Sequence, residues 1–215
     1  MKLVIANKNY SSWSMRPWLL LKHFDIPFDE VLVLLRQADT HERILEHSPS
    51  GRVPALVCDE GHVVWDSLAI AETLAERYPA HRLWPADPIE RAHARSISAE
   101  MHSGFSDIRE AMPMNIKMRR PDIGQREQYR PSVSRIDALW RACLAKHDGP
   151  FLFGEFGIAD AMYAPVVMRF MSYEPVGLSS ESRAYMERVK ALPAVVEWIA
   201  GSQGEPAIAA YDEIA

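Results

Sequence analysis

The chain has 215 residues and a mass of 24.4 kDa, which is room for one large domain or two small ones. With 48% hydrophobic and 25% charged residues, its composition excludes a collagen-like or generally disordered chain. The net charge of −5 argues against a broad nucleic-acid-binding surface, which requires clustered excess lysine and arginine.

The first 78 residues predict an alternation of strands and helices in the order βαβαββα. Strand patterns occupy residues 3–6, 28–34, 55–58 and 63–65, and helical patterns occupy residues 15–24, 40–47 and 67–78. Helices between the early strands predict right-handed crossovers and parallel pairing. The turn signal at residues 59–62 predicts a hairpin that adds an antiparallel edge. Pro17 is expected in the first turn of its helix, where proline is tolerated.

Strand patterns end at Tyr78, and the prolines at positions 79, 85 and 88 mark a linker over residues 79–88. Helical patterns follow over residues 89–117, 125–147, 157–172, 180–191 and 194–201. At the start of the third, Asp160 is placed to accept a hydrogen bond from the backbone of Gly157, as in a capping box. We therefore predict an α/β domain over residues 1–78 and an all-α bundle over residues 89–215.

The two cysteines, Cys58 and Cys143, form no CxxC motif, and the eight histidines show no metal-ligand spacing. We expect no metal site, no thiol redox centre, and buried thiols in a reducing compartment. The N-terminus lacks a signal-peptide pattern, and no apolar run reaches the length of a membrane span. These patterns predict a cytoplasmic protein without membrane or nucleic-acid partners.

Three segments of the first half each allow two interpretations. The hydroxyl cluster around Ser11 and Ser12 precedes a helix and is suited to bind an anion or thiolate, or to serve as an ordinary N-cap. A cis Val53-Pro54 bond would present the Val53 backbone to a ligand, whereas a trans proline would simply open the strand. The pair Asp66-Ser67 at a helix start can hold a ligand's ammonium and carboxylate groups, or act as a cap.

In this order and spacing, these segments resemble the cytosolic glutathione transferase family, and the resemblance covers nearly the whole chain. It implies a thioredoxin-like N-terminal domain followed by an all-helical domain. The motif Ser-Ser-x-Ser-x-Arg at residues 11–16 is most similar to the serine-type classes, particularly zeta. In those classes a serine five positions before the arginine activates glutathione. Here that serine is Ser11, with Ser12 as the alternative.

The resemblance also implies the remaining site residues. Arg52 would reach the glycyl carboxylate of glutathione, the Val53 backbone ahead of a cis Pro54 would pair with its cysteinyl backbone, and Asp66 and Ser67 would hold its γ-glutamyl end. A hydrophobic electrophile is expected against Trp13, Met101, His102, Phe105 and Met112 or Met114. Three positions depart from the family pattern: Trp13 replaces the cysteine of zeta members, Asp66 replaces glutamate, and Gly157 replaces serine or threonine. A homodimer, glutathione as the co-substrate and a role in detoxification complete the expectation.

The predicted chemistry is activation of the glutathione thiol for attack on an electrophile. Lowering a thiol pKa of ~8.5 by about two units requires ~2.7 kcal/mol. A serine hydrogen bond to the charged sulfur supplies roughly 1.5–3 kcal/mol, and the helix N-terminus adds about 0.3–1 kcal/mol. The alternatives are a glutathione-binding scaffold of the same fold with little turnover and a zeta-like isomerase. A thioredoxin-like redox protein would require an exposed, reactive Cys58.

Overall fold

Residues 1–213 are described by a computed structural model that begins with a four-stranded sheet. The last two residues of the predicted helical domain, 214 and 215, lie outside the described residues. The strands are β1 (Lys2–Ile5), β2 (Asp29–Leu32), β3 (Ala55–Val57) and β4 (Val63–Trp65). The helices of this half are α1 (Ser12–His23), α2 (Thr40–Leu45) and α3 (Ser67–Arg77). The predicted βαβαββα order and thioredoxin-like fold class are thus confirmed.

The sheet has the order β2-β1-β3-β4. Strand β1 pairs with β2 in parallel, with Val4 opposite Val31, as the crossover rule predicts. The prediction of parallel pairing is wrong for β3, which runs antiparallel to β1 with Val4 opposite Ala55. After α2 the chain crosses to the other side of β1, and β3 starts beside the end of β1 and runs back along it. Local sequence patterns do not encode this arrangement.

Helix α1 begins at Ser12, three residues earlier than predicted. The Ser11 hydroxyl is its N-cap and accepts a hydrogen bond from the Ser14 backbone N–H at 3.3 Å. Pro17 consequently lies inside the helix and not in its first turn, which corrects the prediction. Burial of α1 on all sides, in part against helices of the second half, offsets the hydrogen bond that Pro17 cannot donate.

In the second half, the predicted helix over residues 89–117 is divided. Helix α4 (Pro88–Ser103) ends at Gly104, and α5 (Ser106–Ala111) starts after Phe105, whose φ is 56°. A Cβ at Gly104 would lie 2.7 Å from the Glu100 carbonyl oxygen, so this sharp exit requires glycine. The remaining helices are α6 (Pro121–Gly124), α7 (Arg130–Lys146), α8 (Ile158–Tyr173), α9 (Ser180–Lys190), α10 (Pro193–Ser202) and α11 (Ala209–Asp212).

Helix α8 passes through the centre of the molecule, and 15 of its 16 residues are buried. It packs against α1 and α4, so the apolar core runs without interruption from the sheet into the helical half. The Trp18 and Trp198 rings, from α1 and α10, meet edge to face at 5.1 Å between centroids. No helix within residues 1–213 combines the length and the apolar character needed to cross a membrane.

Candidate active site

A cavity of about 610 Å³ lies where β3, α3 and the ends of α1 and α4 come together. It is lined by Trp13, Ser50, Arg52, Val53, Pro54, Trp65, Asp66, Ser67 and His102. The sequence singled out all of these except Ser50 and Trp65. Trp65 directly precedes the Asp66-Ser67 pair and Ser50 lies two positions before Arg52, so a wider window around each motif would have included them. Local motifs 53 positions apart, from Trp13 to Asp66, therefore share one site.

The Val53-Pro54 peptide bond is cis, as the resemblance implies. It lies on the cavity wall immediately before β3, and the Val53 side chain is half-buried. The neighbouring Arg52 is exposed, and its backbone N–H donates to the Ser50 hydroxyl at 3.2 Å. The Arg52 side chain is thus available at the cavity rim as a cation for an incoming carboxylate.

The Asp66 carboxylate serves two partners. One oxygen caps α3 by accepting the Leu68 and Ala69 backbone N–H groups at 2.8 and 3.3 Å. The other oxygen lies 3.1 Å from His102 Nε2, on the last turn of α4. Burial is the main cause that lowers the pKa of His102, with Asp66 opposing it and Arg16 and Arg109 reinforcing it. Asp66 is therefore both an N-cap and a cavity carboxylate, so the two interpretations of this position are compatible.

Ser11 and Ser12 do not line the cavity, since they are only 8% and 6% exposed and lie beside Trp13, which does. The Ser11 hydroxyl donates to Ser14 Oγ at 2.7 Å. Ser12 Oγ instead accepts a hydrogen bond from Arg169 Nη2 at 3.0 Å. The two serines thus differ in hydrogen bonding. The Ser11 hydroxyl donates its hydrogen bond within the protein, whereas the Ser12 hydroxyl oxygen accepts a hydrogen bond from a cation.

Three arginines that were given no role from the sequence surround this helix start. The guanidinium groups of Arg16 and Arg109 lie over the Trp13 ring, at 4.3 and 5.4 Å from its centroid, and Arg169 reaches Ser12. Burial, reinforced by the neighbouring arginines, lowers the pKa of Arg16 to about 9 and that of Arg169 to about 10.

Within residues 1–213, none of these three arginines forms an ion pair with a carboxylate. Their hydrogen bonds go to neutral oxygens: Arg16 donates to Ser67, Arg109 to the His102 carbonyl oxygen, and Arg169 to Ser12 and the Met112 carbonyl oxygen. The cluster therefore leaves positive charge uncompensated by a carboxylate beside the start of α1. The sequence contains one sign of this arginine cluster, because Arg169 interrupts an otherwise apolar stretch of α8.

The predicted electrophile pocket is only partly assembled. Trp13 and His102 line the cavity and meet edge to face at 5.3 Å between ring centroids. Met101 is 1% exposed and belongs to the core, as do Met112 and Met114. Phe105 is half-buried at the break after α4, packed against that core. The three methionines therefore contribute to the core and not to the cavity wall.

Cys58 is 3% exposed, and burial raises the pKa of its thiol, which argues against the redox alternative. Burial also raises the pKa of Cys143, to about 11. In the described part of the chain, Cys58, Glu60 and His62 bring potential metal-ligand atoms within 4.8 Å of one another. Arg77 forms an ion pair with Glu60 there, so a guanidinium already neutralises this group. The group lies on the β3–β4 hairpin and not on the cavity wall.

Family models and individual relatives agree on the family that this chain resembles. The model described as glutathione S-transferase, N-terminal domain, matches residues 10–77, and the corresponding C-terminal domain model matches residues 123–201. A probable maleylacetoacetate isomerase from Caenorhabditis elegans is 33% identical over 159 residues, covering 73% of this chain and 72% of the relative. Glutathione S-transferase GstB from Escherichia coli K12 is 27% identical over 191 residues, covering 86% and 90%.

A solved glutathione transferase homolog from Burkholderia, with bound glutathione, shares the fold with a TM-score of 0.73. It is 24% identical, and the match covers 95% of this chain and 98% of that one. The two family models together match more than half of the chain, on both sides of the junction between the sheet and the helices. The chain therefore belongs to the glutathione S-transferase family and is a glutathione S-transferase enzyme.

Proposed function

We propose that this enzyme binds glutathione in the cavity between β3, α3 and the end of α4, with the thiol directed to the N-terminus of α1. Asp66 and Ser67 hold the γ-glutamyl end, the Val53 backbone pairs with the cysteinyl unit, and Arg52 receives the glycyl carboxylate. The observation that carries the proposal is that all four residues face one cavity, beside a helix start rich in hydroxyl groups. Relatives of the same fold that were solved with bound glutathione support it.

Ser12 is the better placed of the two candidate serines to stabilise the thiolate. Its oxygen accepts from the Arg169 guanidinium, which leaves its own proton to donate to the sulfur and strengthens it as a donor. Ser11 can donate to the sulfur only by giving up its 2.7 Å bond to Ser14. Ser11 remains the assignment that the family motif implies. The two assignments differ in which serine-to-alanine variant loses activation of the glutathione thiol.

The test is a titration of bound glutathione in wild type, Ser11→Ala and Ser12→Ala, followed by thiolate absorbance from about pH 5 to pH 9. We expect a lowered thiol pKa in the wild type and a rise of about one to two units in Ser12→Ala, the equivalent of one charged hydrogen bond. Ser96→Ala on the exposed face of α4 is the matched control and leaves the pKa unchanged. An unshifted thiol pKa in the wild type would favour the glutathione-binding scaffold instead.

A second candidate function, glutathione-dependent isomerisation of an unsaturated carboxylic acid, is favoured by the unpaired arginines. Arg16, Arg109 and Arg169 are suited to hold a carboxylate next to the thiolate. The thiolate adds to the activated double bond, the resulting single bond rotates, and elimination returns the thiolate. The relative named as a probable maleylacetoacetate isomerase supports this class. Isomerisation leaves the amount of glutathione constant, whereas transfer consumes one molecule per turnover, so a thiol assay distinguishes them.

The partners in this proposal are glutathione and a small electrophile. Trp13 and His102 form the aromatic wall against which the electrophile rests. A homodimer, a cytoplasmic location and a role in detoxification belong to the proposal on the strength of the family resemblance. No metal takes part in the proposed chemistry.

A further inference from the structure

The loop between β1 and α1 contains Ser11 and leads into the start of α1. Residues near the C-terminus of the chain form hydrogen bonds with this loop. The Glu205 carboxylate accepts the backbone N–H groups of Lys8 and Asn9 at 2.6 and 2.9 Å. The Trp198 indole N–H donates to the Lys8 carbonyl oxygen at 2.9 Å. These contacts join residues about 190 positions apart in the sequence.

A second set of contacts holds the residue immediately before Ser11. The Tyr10 hydroxyl donates to the Asp212 carboxylate at 3.0 Å and accepts the Ile208 backbone N–H at 3.0 Å. Asn115 donates to the same Asp212 carboxylate at 2.6 Å, and the Tyr10 and Tyr211 rings pack at 5.3 Å. We call residues 205–212 the C-terminal strap. It contacts the loop on both sides of Asn9.

Besides the strap, the loop is held by residues 115–117 and by its own turn. Ile116 donates its backbone N–H to the Asn9 carbonyl oxygen at 3.3 Å, and the Asn9 side chain bonds to Asn115 and to the Lys117 backbone N–H. The Tyr10 and Ser11 backbone N–H groups both return to the Asn7 carbonyl oxygen, which forms one tight turn. The Lys8 and Asn9 N–H groups take no part in this turn, and Glu205 accepts both with a single charged side chain. The strap therefore holds the loop at Lys8, Asn9 and Tyr10, in addition to the contacts of Asn9 with residues 115–117.

We propose that Glu205 and Tyr10 are positioning residues, through which the C-terminal strap places the hydroxyl groups of the α1 N-terminus against the glutathione sulfur. This inference rests on the proposed function. Neither residue lines the cavity, and both take part in the contacts between the loop before α1 and the strap. Because a shift of about 1 Å at a catalytic group can cost a hundredfold in rate, a loosened loop weakens thiol activation without removing the binding residues.

The experiment compares wild type, Glu205→Ala, Glu205→Gln and Tyr10→Phe by thiolate absorbance, glutathione titration and turnover. For Glu205→Ala we expect the thiol pKa of bound glutathione to rise by about one unit and kcat to fall about tenfold to a hundredfold. The glutathione dissociation constant should stay within about twofold, since Arg52, Val53, Asp66 and Ser67 are untouched. Glu205→Gln keeps one acceptor oxygen and should give a smaller change in the same direction.

The matched control is Glu197→Gln on α10, an exposed glutamate that pairs with Lys22 away from the loop and should behave as wild type. If the variants keep the wild-type thiol pKa and kcat, the strap has only a structural role and the inference is overturned. If Glu205→Ala does not fold, the thiol pKa values of Glu205→Gln and Tyr10→Phe decide by the same criterion. An unshifted pKa of the bound glutathione thiol in the wild type would overturn both the proposed function and this inference. A lowered thiol pKa in the wild type that stays the same in the variants would overturn the inference alone.

Discussion

Arg16 connects the two ends of the candidate glutathione site. Its guanidinium lies 4.3 Å from the centre of the Trp13 ring and donates from Nη1 to Ser67 Oγ at 3.3 Å. It thereby links the start of α1, where the thiol is expected, to the start of α3, where the γ-glutamyl end is expected. Only a flat, forked cation can stack on an indole and donate sideways in the same geometry.

We therefore predict that Arg16→Lys weakens glutathione binding by about fivefold to thirtyfold, the equivalent of roughly 1–2 kcal/mol for the lost stacking and hydrogen bond. Calorimetric titration with glutathione measures this. Arg95→Lys is the control, because Arg95 also lies over a tryptophan, Trp84, but far from the cavity. Equal affinities for wild type and Arg16→Lys would show that Arg16 only fills space.

At the scale of an element, α8 depends on one buried carboxylate at its start. Asp160 accepts the backbone N–H groups of Leu152 and Gly157 at 3.1 and 3.0 Å and the Tyr185 hydroxyl at 2.9 Å. The predicted bond from Asp160 to the Gly157 backbone is thus confirmed. Glycine at 157 has no side chain to cap the helix, so Asp160 alone supplies the capping interaction, and it also ties down the preceding loop and α9.

Burial raises the pKa of Asp160 from 3.8 to about 6, against the opposing effect of its three hydrogen bonds. Between these two pKa values the folded chain binds more protons than the unfolded chain. The contribution of Asp160 to the free energy of unfolding therefore increases as the pH falls from about 6 to about 4. Above this window the contribution is constant, because Asp160 is ionised in both states.

We predict that Asp160→Asn lowers the free energy of unfolding by about 1–3 kcal/mol at neutral pH, since one buried N–H loses its acceptor. The deficit relative to wild type should widen as the pH falls through the window just given. Urea unfolding at a series of pH values measures both effects. Asp148→Asn is the exposed control on the neighbouring loop, and its free energy of unfolding relative to wild type should not change with pH. A pH-independent deficit for Asp160→Asn would contradict the assignment of the raised pKa.

At the scale of the whole molecule, the sheet half and the helical half share one core. Helix α1 packs against α8 and α10, and Trp18 of the first half is wholly buried against Trp198 of the second. The C-terminal strap adds polar contacts across the same boundary. Neither half retains its buried apolar surface without the other, so their stabilities are coupled.

We accordingly predict a single cooperative unfolding transition. Urea curves followed by tryptophan fluorescence and by far-ultraviolet circular dichroism, at one protein concentration, should give the same midpoint. The six tryptophans lie in both halves, with Trp18 buried in the first and Trp140 buried in α7 of the second, so the fluorescence reports on both. Two separated transitions would mean that the halves unfold independently and that the shared core contributes little.

The sequence was sufficient where a pattern is local. Periodicity predicted each strand and helix of the first half in order. The local motifs at Val53 and Asp66 each left two interpretations open, and the resemblance to a known family, carried by their order and spacing, is what pointed to a ligand site. It failed at boundaries decided by side-chain hydrogen bonds, such as the early start of α1.

Tertiary choices were also beyond local sequence patterns. The antiparallel entry of β3 and the contact of Arg169 with Ser12 join segments far apart in the chain, the latter 157 positions apart. The apolar composition of α8 indicates a buried helix, but it does not show that Arg169 meets the start of α1.

The double role of Asp66 has a consequence for how this family member can diversify. The same carboxylate starts α3 and faces the cavity toward His102, so a substitution that retunes ligand recognition at this position also removes the helix cap. Position 66 is therefore pleiotropic, and selection on ligand affinity cannot act there independently of selection on folding. Substitutions are less constrained at Arg52, whose side chain is exposed, and at His102, which lies in α4 and takes no part in capping α3. A lineage that changes its ligand is expected to vary at these two positions first.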